Sequence, residues 1–311
     1  MISVLQPVNV ILIVLVVGQF LARKATADPW NTDKIYREYY TDDYIANPQR
    51  IVLPMTGDEM PFHVYIRTNK GHRCTGSILT KSYVLTAAHC AAFLTNNGTT
   101  TVYAGLEDTR KTTARTVRRS TVSQITLHPF FDAGTRIHDI AVIKIRNAFN
   151  WTDYVQPVKI FSDDRFVDLF LKTAGFGHSH VNFPQSRVFD HKLARVSMNH
   201  LDRDVCNERL SSVGRLKVSI RQMCTRVPAI NIRMGYHGGP IVHMHANVST
   251  LYKNRFFDVN SDYGYSQVGV LSYTINALTE KNVNVALRTS LYCGFIEEAT
   301  RHSYRCAIFR K

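Results

Sequence analysis

From residue 62 onward the chain is built of short runs in which apolar residues alternate with polar ones or stand together, each bounded by turn-forming residues. Such runs read as β-strands, because successive side chains of a strand point to opposite faces and a strand buried on both faces is apolar throughout. The first set comprises Phe62–Arg67, Gly76–Leu79, Tyr83–Ala87, Thr101–Ala104, Val122–Leu127 and Ile140–Ile145. A second set includes Phe170–Phe176, Leu193–Met198, Gln222–Thr225, Pro240–His245, Gln267–Tyr273 and Val285–Thr289. Two sets of closely spaced strands predict an all-β molecule with two barrels. Towards the end the period changes: Leu291, Phe295 and Ala299 recur every fourth residue, which predicts a helix laying that face on a barrel. No internal repeat or low-complexity block interrupts the pattern.

The residues before 62 follow no such pattern. An apolar run, Val8 to Ala22, precedes Ala25-Thr26-Ala27, a small-x-small cleavage pattern, so residues 1–27 read as a secretory signal peptide. The alternative is a membrane anchor, favoured by Arg23 and Lys24 after the run and by the missing basic n-region. The run is shorter than the ~20 residues of a spanning helix, so stable membrane insertion is not expected. On both readings the rest of the chain faces an oxidising compartment. Residues 28–50 are polar and tyrosine-rich, an acidic prosegment or linker. Their acids Asp28, Asp33, Glu38, Asp42 and Asp43 outnumber the bases Lys34, Arg37 and Arg50.

A hydrophobic content of 45% and a charged content of 20% over 311 residues exclude a disordered chain or a fibre. The net charge of +14, which resides in residues 51–311, adds attraction to polyanions. Given secretion, nucleic acid is not an expected partner. Six cysteines, an even number, fit an extracellular protein. Sequons at Asn97, Asn150 and Asn247 read either as glycosylated surface loops or as chance matches.

Three segments carry chemistry: Thr86-Ala87-Ala88-His89-Cys90, His138-Asp139-Ile140-Ala141-Val142, and Arg233-Met234-Gly235-Tyr236-His237-Gly238-Gly239-Pro240. In this order and spacing they resemble the triad motifs of trypsin-like serine proteases, across essentially all of residues 51–302. The resemblance implies two antiparallel six-stranded β-barrels with a C-terminal helix, followed by a tail at 303–311. It also assigns His89 the role of general base and Asp139 that of the acid orienting it. Position 237 belongs to the nucleophile and Gly235 to the oxyanion hole. Here His237 stands where the family has serine, and Tyr236 where it has aspartate. An imidazole differs from a hydroxyl in reach and bulk, and it competes with His89 for the same proton.

Further positions follow from the same resemblance. Arg50-Ile51-Val52 is similar to the activation junction, where cleavage frees an amino terminus that pairs with the aspartate before the nucleophile. Tyr236 offers no such charge, so insertion in the family's way is not expected. Either the bond is cut, or Arg50 is a loop arginine and it is not. Asn231 falls at the base of the specificity pocket, and Arg233 replaces a pocket cysteine. Ser272, Tyr273 and Thr274 match the opposite wall, with Thr274 adding bulk at the entrance. Specificity for a cationic side chain is not supported. The family pattern pairs Cys74 with Cys90 and Cys206 with Cys224, leaving Cys293 and Cys306 for each other.

No cofactor or metal is expected. His89 and His237 lack a third ligand, and the pairs His178/His180 and His243/His245 lack mates. The loop bearing Arg110, Lys111, Arg115, Arg118 and Arg119 has the wrong charge for calcium, and reads as a patch for sulfated glycans, acidic proteins or anionic membranes, or as a solvated face. The expectation is a secreted, catalytically inactive protease homolog that binds extracellular proteins, such as a protease or protease inhibitor, and regulates proteolysis. Its rivals are a serine-type or unconventional hydrolase using His237, and a protein that binds sulfated glycans or other polyanions.

Overall fold

The computed structural model describes residues 52–163, 170–180, 191–215, 217–227, 230–232, 234–244, 265–275 and 283–308. Six strands form the first barrel: β2 (His63–Thr68), β3 (Arg73–Ile78), β4 (Tyr83–Thr86), β5 (Thr100–Ala104), β6 (Arg118–Leu127) and β7 (Ala141–Ile145). They close antiparallel in the order β2-β3-β4-β7-β6-β5. Alternation does what it should in β5, where Thr100, Val102 and Ala104 point inward and the residues between them are only partly covered. The barrel is filled by Val64, Ile66, Ile78, Val84, Val122, Ile143 and Phe149 among others. Each large side chain sealed in this way contributes about 1.5–3 kcal/mol.

The second barrel uses β8 (Phe170–Gly175), β10 (Ala194–Leu201), β11 (Gln222–Arg226), β13 (Pro240–Met244), β14 (Tyr265–Ile275) and β15 (Val283–Arg288). It closes through the pairings of β8 with β10 and with β13. Three further strands escaped sequence reading because three residues hold no period: β1 (Val52–Pro54), which lies beside β10, and the ribbon of β9 (His178–His180) with β12 (Ile230–Ile232). A third cluster joins the barrels, built from Phe62, Tyr65, Leu85, Ile140, Phe176 and Val242 among others.

Among the described residues three short α-helices complete the fold: α1 (Ala88–Ala91), α2 (Arg203–Ser211) and α3 (Cys293–Ala299). The Asp202 side chain accepts from the Asp204 N–H at 2.7 Å and caps α2, an element the apolar pattern does not reveal. The C-terminal helix is present, but its inward line differs from the expected one. Leu291 precedes the helix and is exposed, while Tyr292 and Ile296 are buried and Phe295 and Ala299 flank them. The four-residue spacing was right and its phase was one residue early, because a 3₁₀ turn (Thr289–Tyr292) leads into α3.

Past residue 302 the chain continues packing. The Tyr304 hydroxyl accepts from the Ile160 N–H at 2.8 Å and donates to the Val158 carbonyl at 3.0 Å. Disulfides join Cys74 to Cys90, Cys206 to Cys224 and Cys293 to Cys306, the last tying α3 to this tail. Among the described residues no helix is long and apolar enough to cross a membrane.

Candidate functional site

Strand register brings His89 and Asp139 together. Thr86, the last residue of β4, pairs with Ala141, the first of β7, so the chain leaves the barrel on one edge at both places. His89 stands on α1 just after that pair and Asp139 just before it. The His89 Nδ1–H donates to one oxygen of Asp139 at 2.7 Å, and the His89 backbone N–H to the other at 2.7 Å. Asp139 is fully buried, so each bond is made in a low-dielectric setting. The approach to it is strained: His138 adopts φ 54° and Arg136 φ 59°, values few non-glycine residues take.

The second barrel supplies the other half. Between Leu271 and Tyr273 the β14–β15 register shifts, which takes Ser272 out of the ladder. Its hydroxyl donates to Asp139 across the barrel interface. A bulge that re-aims one side chain in this way is a recurrent device beside reactive groups. Opposite Leu271, the N–H of Gly238 donates to the Leu271 carbonyl at 2.8 Å and the Leu271 N–H to the Gly239 carbonyl at 3.0 Å. That pairing carries residue 237 against the first barrel, where Thr75 donates its N–H at 2.9 Å and its hydroxyl at 3.0 Å to the His237 carbonyl. The glycines are required: Gly238 has φ +81°, and a Cβ on Gly235 would lie 1.5 Å from the Phe176 carbonyl oxygen.

His237 itself stands edge-on to His89, ring centroids 5.6 Å apart. Its Nε2 is sealed from solvent and has no hydrogen-bond partner among the described residues. Burial first, then the neighbouring His89, lower its pKa to about 4 against the pull of Asp139. Among the described residues, the side-chain hydroxyl that reaches the His89–Asp139 pair is that of Ser272, and it binds the carboxylate rather than the imidazole. Tyr236 is fully buried and packs in the interior cluster of the second barrel with Met198, Ile232, Ile241 and Leu271. Gly175 leaves room for its ring, since a Cβ there would come within 2.7 Å of it.

Asn231 lies in β12 opposite Ser179. Thr274, at the expected pocket entrance, donates to the buried Asn284 at 3.0 Å, and Tyr273 beside it is half-buried. Asn97 and Asn150 are exposed. Arg50, Ile51, Arg233 and Asn247 lie outside the described residues, as do the signal segment and residues 28–50. In the basic loop, Lys111, Arg115 and Arg119 face solvent, but Arg110 forms a two-pronged pair with Asp108 at 2.6 and 2.9 Å. Arg118 donates to the Arg115 and Val117 carbonyls, so this charge is partly spent on holding its own loop. Sequence reading missed Thr75 and Arg136, whose guanidinium comes within 3.9 Å of Asp139. Neither sits in a recognisable motif.

His63 and His128 are also held near pKa 4, both chiefly by burial, and His138 is lowered as well. A histidine kept neutral by the fold gains a proton only on unfolding, so stability falls as pH drops from about 6.5 towards 4. For the buried His63 the slope approaches ~1.4 kcal/mol per pH unit in that window, and the partly buried His237 adds less. Urea midpoints measured between pH 7 and 5 should decline accordingly, and less steeply in His237→Gln. A flat profile would contradict these environments.

A profile of the family described as Trypsin matches residues 54–296. The chain is 26% identical over 254 residues to Melanization protease 1 of Drosophila melanogaster, which covers 75% of this chain and 59% of that protein. It is 25% identical over 217 residues to Trypsin 5G1 of Aedes aegypti, covering 68% and 74% of the two chains. Against a venom serine protease of Polistes dominula the identity is 25% over 205 residues, covering 63% and 71%.

Proposed function

The chain belongs to the trypsin family, and from that premise we propose that it is a secreted, catalytically inactive protease homolog that regulates an extracellular proteolytic process by binding. One observation carries the reading: the loop that holds the family's nucleophile presents a partly buried imidazole, His237, its Nε2 sealed from solvent, beside an assembled His89–Asp139–Ser272 network. A base with no hydroxyl to deprotonate cannot run the acyl-transfer cycle. Tyr236 supports the same reading, because an uncharged ring occupies the position whose carboxylate would receive a new amino terminus.

Three disulfides support an oxidising compartment, and the names of two relatives, a melanization protease and a venom serine protease, support an extracellular proteolytic setting. The fitting partner is another extracellular protein, a protease or protease inhibitor among them. The purified chain, before and after treatment with a protease that cuts at Arg50, should take up no fluorophosphonate probe. Its turnover of peptide substrates should lie about a millionfold below that of an active relative. Stoichiometric labelling of either form would overturn the proposal.

A further inference from the structure

Seven large apolar side chains stand exposed among the described residues, and four of them, Phe130, Ile137, Ile220 and Leu291, lie on segments that meet at Tyr292. The contacts linking them are explicit. The rings of His128 and His138 stack 4.4 Å apart, both meet Tyr292 edge-on, and the Phe130 ring lies 6.0 and 6.2 Å from them. The Arg221 guanidinium lies over the Tyr292 ring at 5.9 Å and donates to the Leu291 carbonyl at 3.3 Å, while Arg288 donates to the Ile220 carbonyl at 3.1 Å. Phe130 is 74% exposed and Ile220 62%, so core packing does not account for either.

We propose that this surface is a docking site for an acidic polypeptide segment carrying aromatic or aliphatic anchor side chains. Contiguous apolar groups on a soluble surface mark a contact site, and arginine with aromatic residues forms the energetic centre of most such contacts. The polar groups between the apolar ones are cationic: Arg221 is exposed and Arg136 a third exposed. The acid nearest Phe130 in its loop, Asp132, is exposed and stays anionic, its Oδ1 accepting from Thr135, but it is outnumbered by Arg221, Arg288 and Arg136. An acidic chain therefore meets complementary charge. A second copy of this protein, docked about a two-fold axis, would set arginine against arginine on a molecule of net charge +14. A sulfated glycan would use the charge and leave the apolar side chains uncovered. The surface adjoins the site through Arg136 and His138 but uses no hydroxyl or imidazole of the cleft in binding, so the inference stands whether or not that cleft turns over substrate.

The test is a selection of displayed acidic dodecapeptides, with Phe, Tyr, Leu and Ile at random positions, against the full chain. Peptides needing both acids and anchors should be enriched, and Phe130→Ser, Leu291→Ser and Arg221→Glu should each weaken them about tenfold or more. Slowed amide exchange on binding should map to residues 128–138 and 288–292. Because Phe130 is so exposed, Phe130→Ser should melt like the natural chain, which separates lost binding from lost folding. The proposal falls if no enriched peptide depends on these residues, or if heparin or an all-glutamate peptide binds here equally well. It falls too if the chain is a dimer that Phe130→Ser dissociates.

Discussion

His237→Ser should take up a fluorophosphonate that the natural chain does not, yet cleave peptides at least ~10²-fold more slowly than active members of the family. The base half of the machinery is already assembled, with Asp139 accepting from the His89 side chain, the His89 backbone and Ser272. The backbone at 237 is also held, by both donors of Thr75. Replacing the ring by a hydroxymethyl group therefore restores the missing attacker, whose loss is worth about a millionfold in this reaction class. The oxyanion donors are expected to stay unassembled, since nothing charged at 236 anchors the turn, and each lost donor costs about 10²–10³.

Adding Tyr236→Asp does not repair this unaided. The new carboxylate would sit inside an apolar cluster, and an unpaired buried charge costs about 3–5 kcal/mol. The double variant should reach higher rates only when a cut at Arg50 supplies the ammonium. Full protease rates from His237→Ser by itself would show that Tyr236 is irrelevant, and no labelling at all would place further damage in the pocket.

Gly235→Ala should destabilise the protein by more than about 4 kcal/mol, read from urea or thermal unfolding. A Cβ 1.5 Å from the Phe176 carbonyl oxygen is at covalent distance, so the two backbones must part. Parting them breaks the bond from the Phe176 N–H to the Gly235 carbonyl, 3.0 Å, and unseats Tyr236 from the second barrel. Gly294→Ala is the control. A Cβ there meets nothing within 4 Å in helix α3, so the change should be neutral or stabilising by up to about 1 kcal/mol. A loss below about 1 kcal/mol for Gly235→Ala would contradict the close approach.

Both barrels were legible in the chain because a strand's period is local: each run from Phe62–Arg67 to Val285–Thr289 reports its own inward face. The ordered segments around His89, Asp139 and His237 were legible through their resemblance to the triad motifs of trypsin-like proteases, and the pairing of β4 with β7 sets the first two on one edge. Other features depend on partners far along the chain, and no local pattern encodes them. Thr75 holds residue 237 from across the barrel interface, and a register shift frees Ser272 to bind Asp139. Whether Tyr236 would face solvent or fill the core was decided by Gly175 making space, and the phase of the last helix by the turn before it. Sequence by itself determined the barrels and the identity of the groups at the cleft. Packing decided what those groups touch, because close contact is settled only when distant strands come into register.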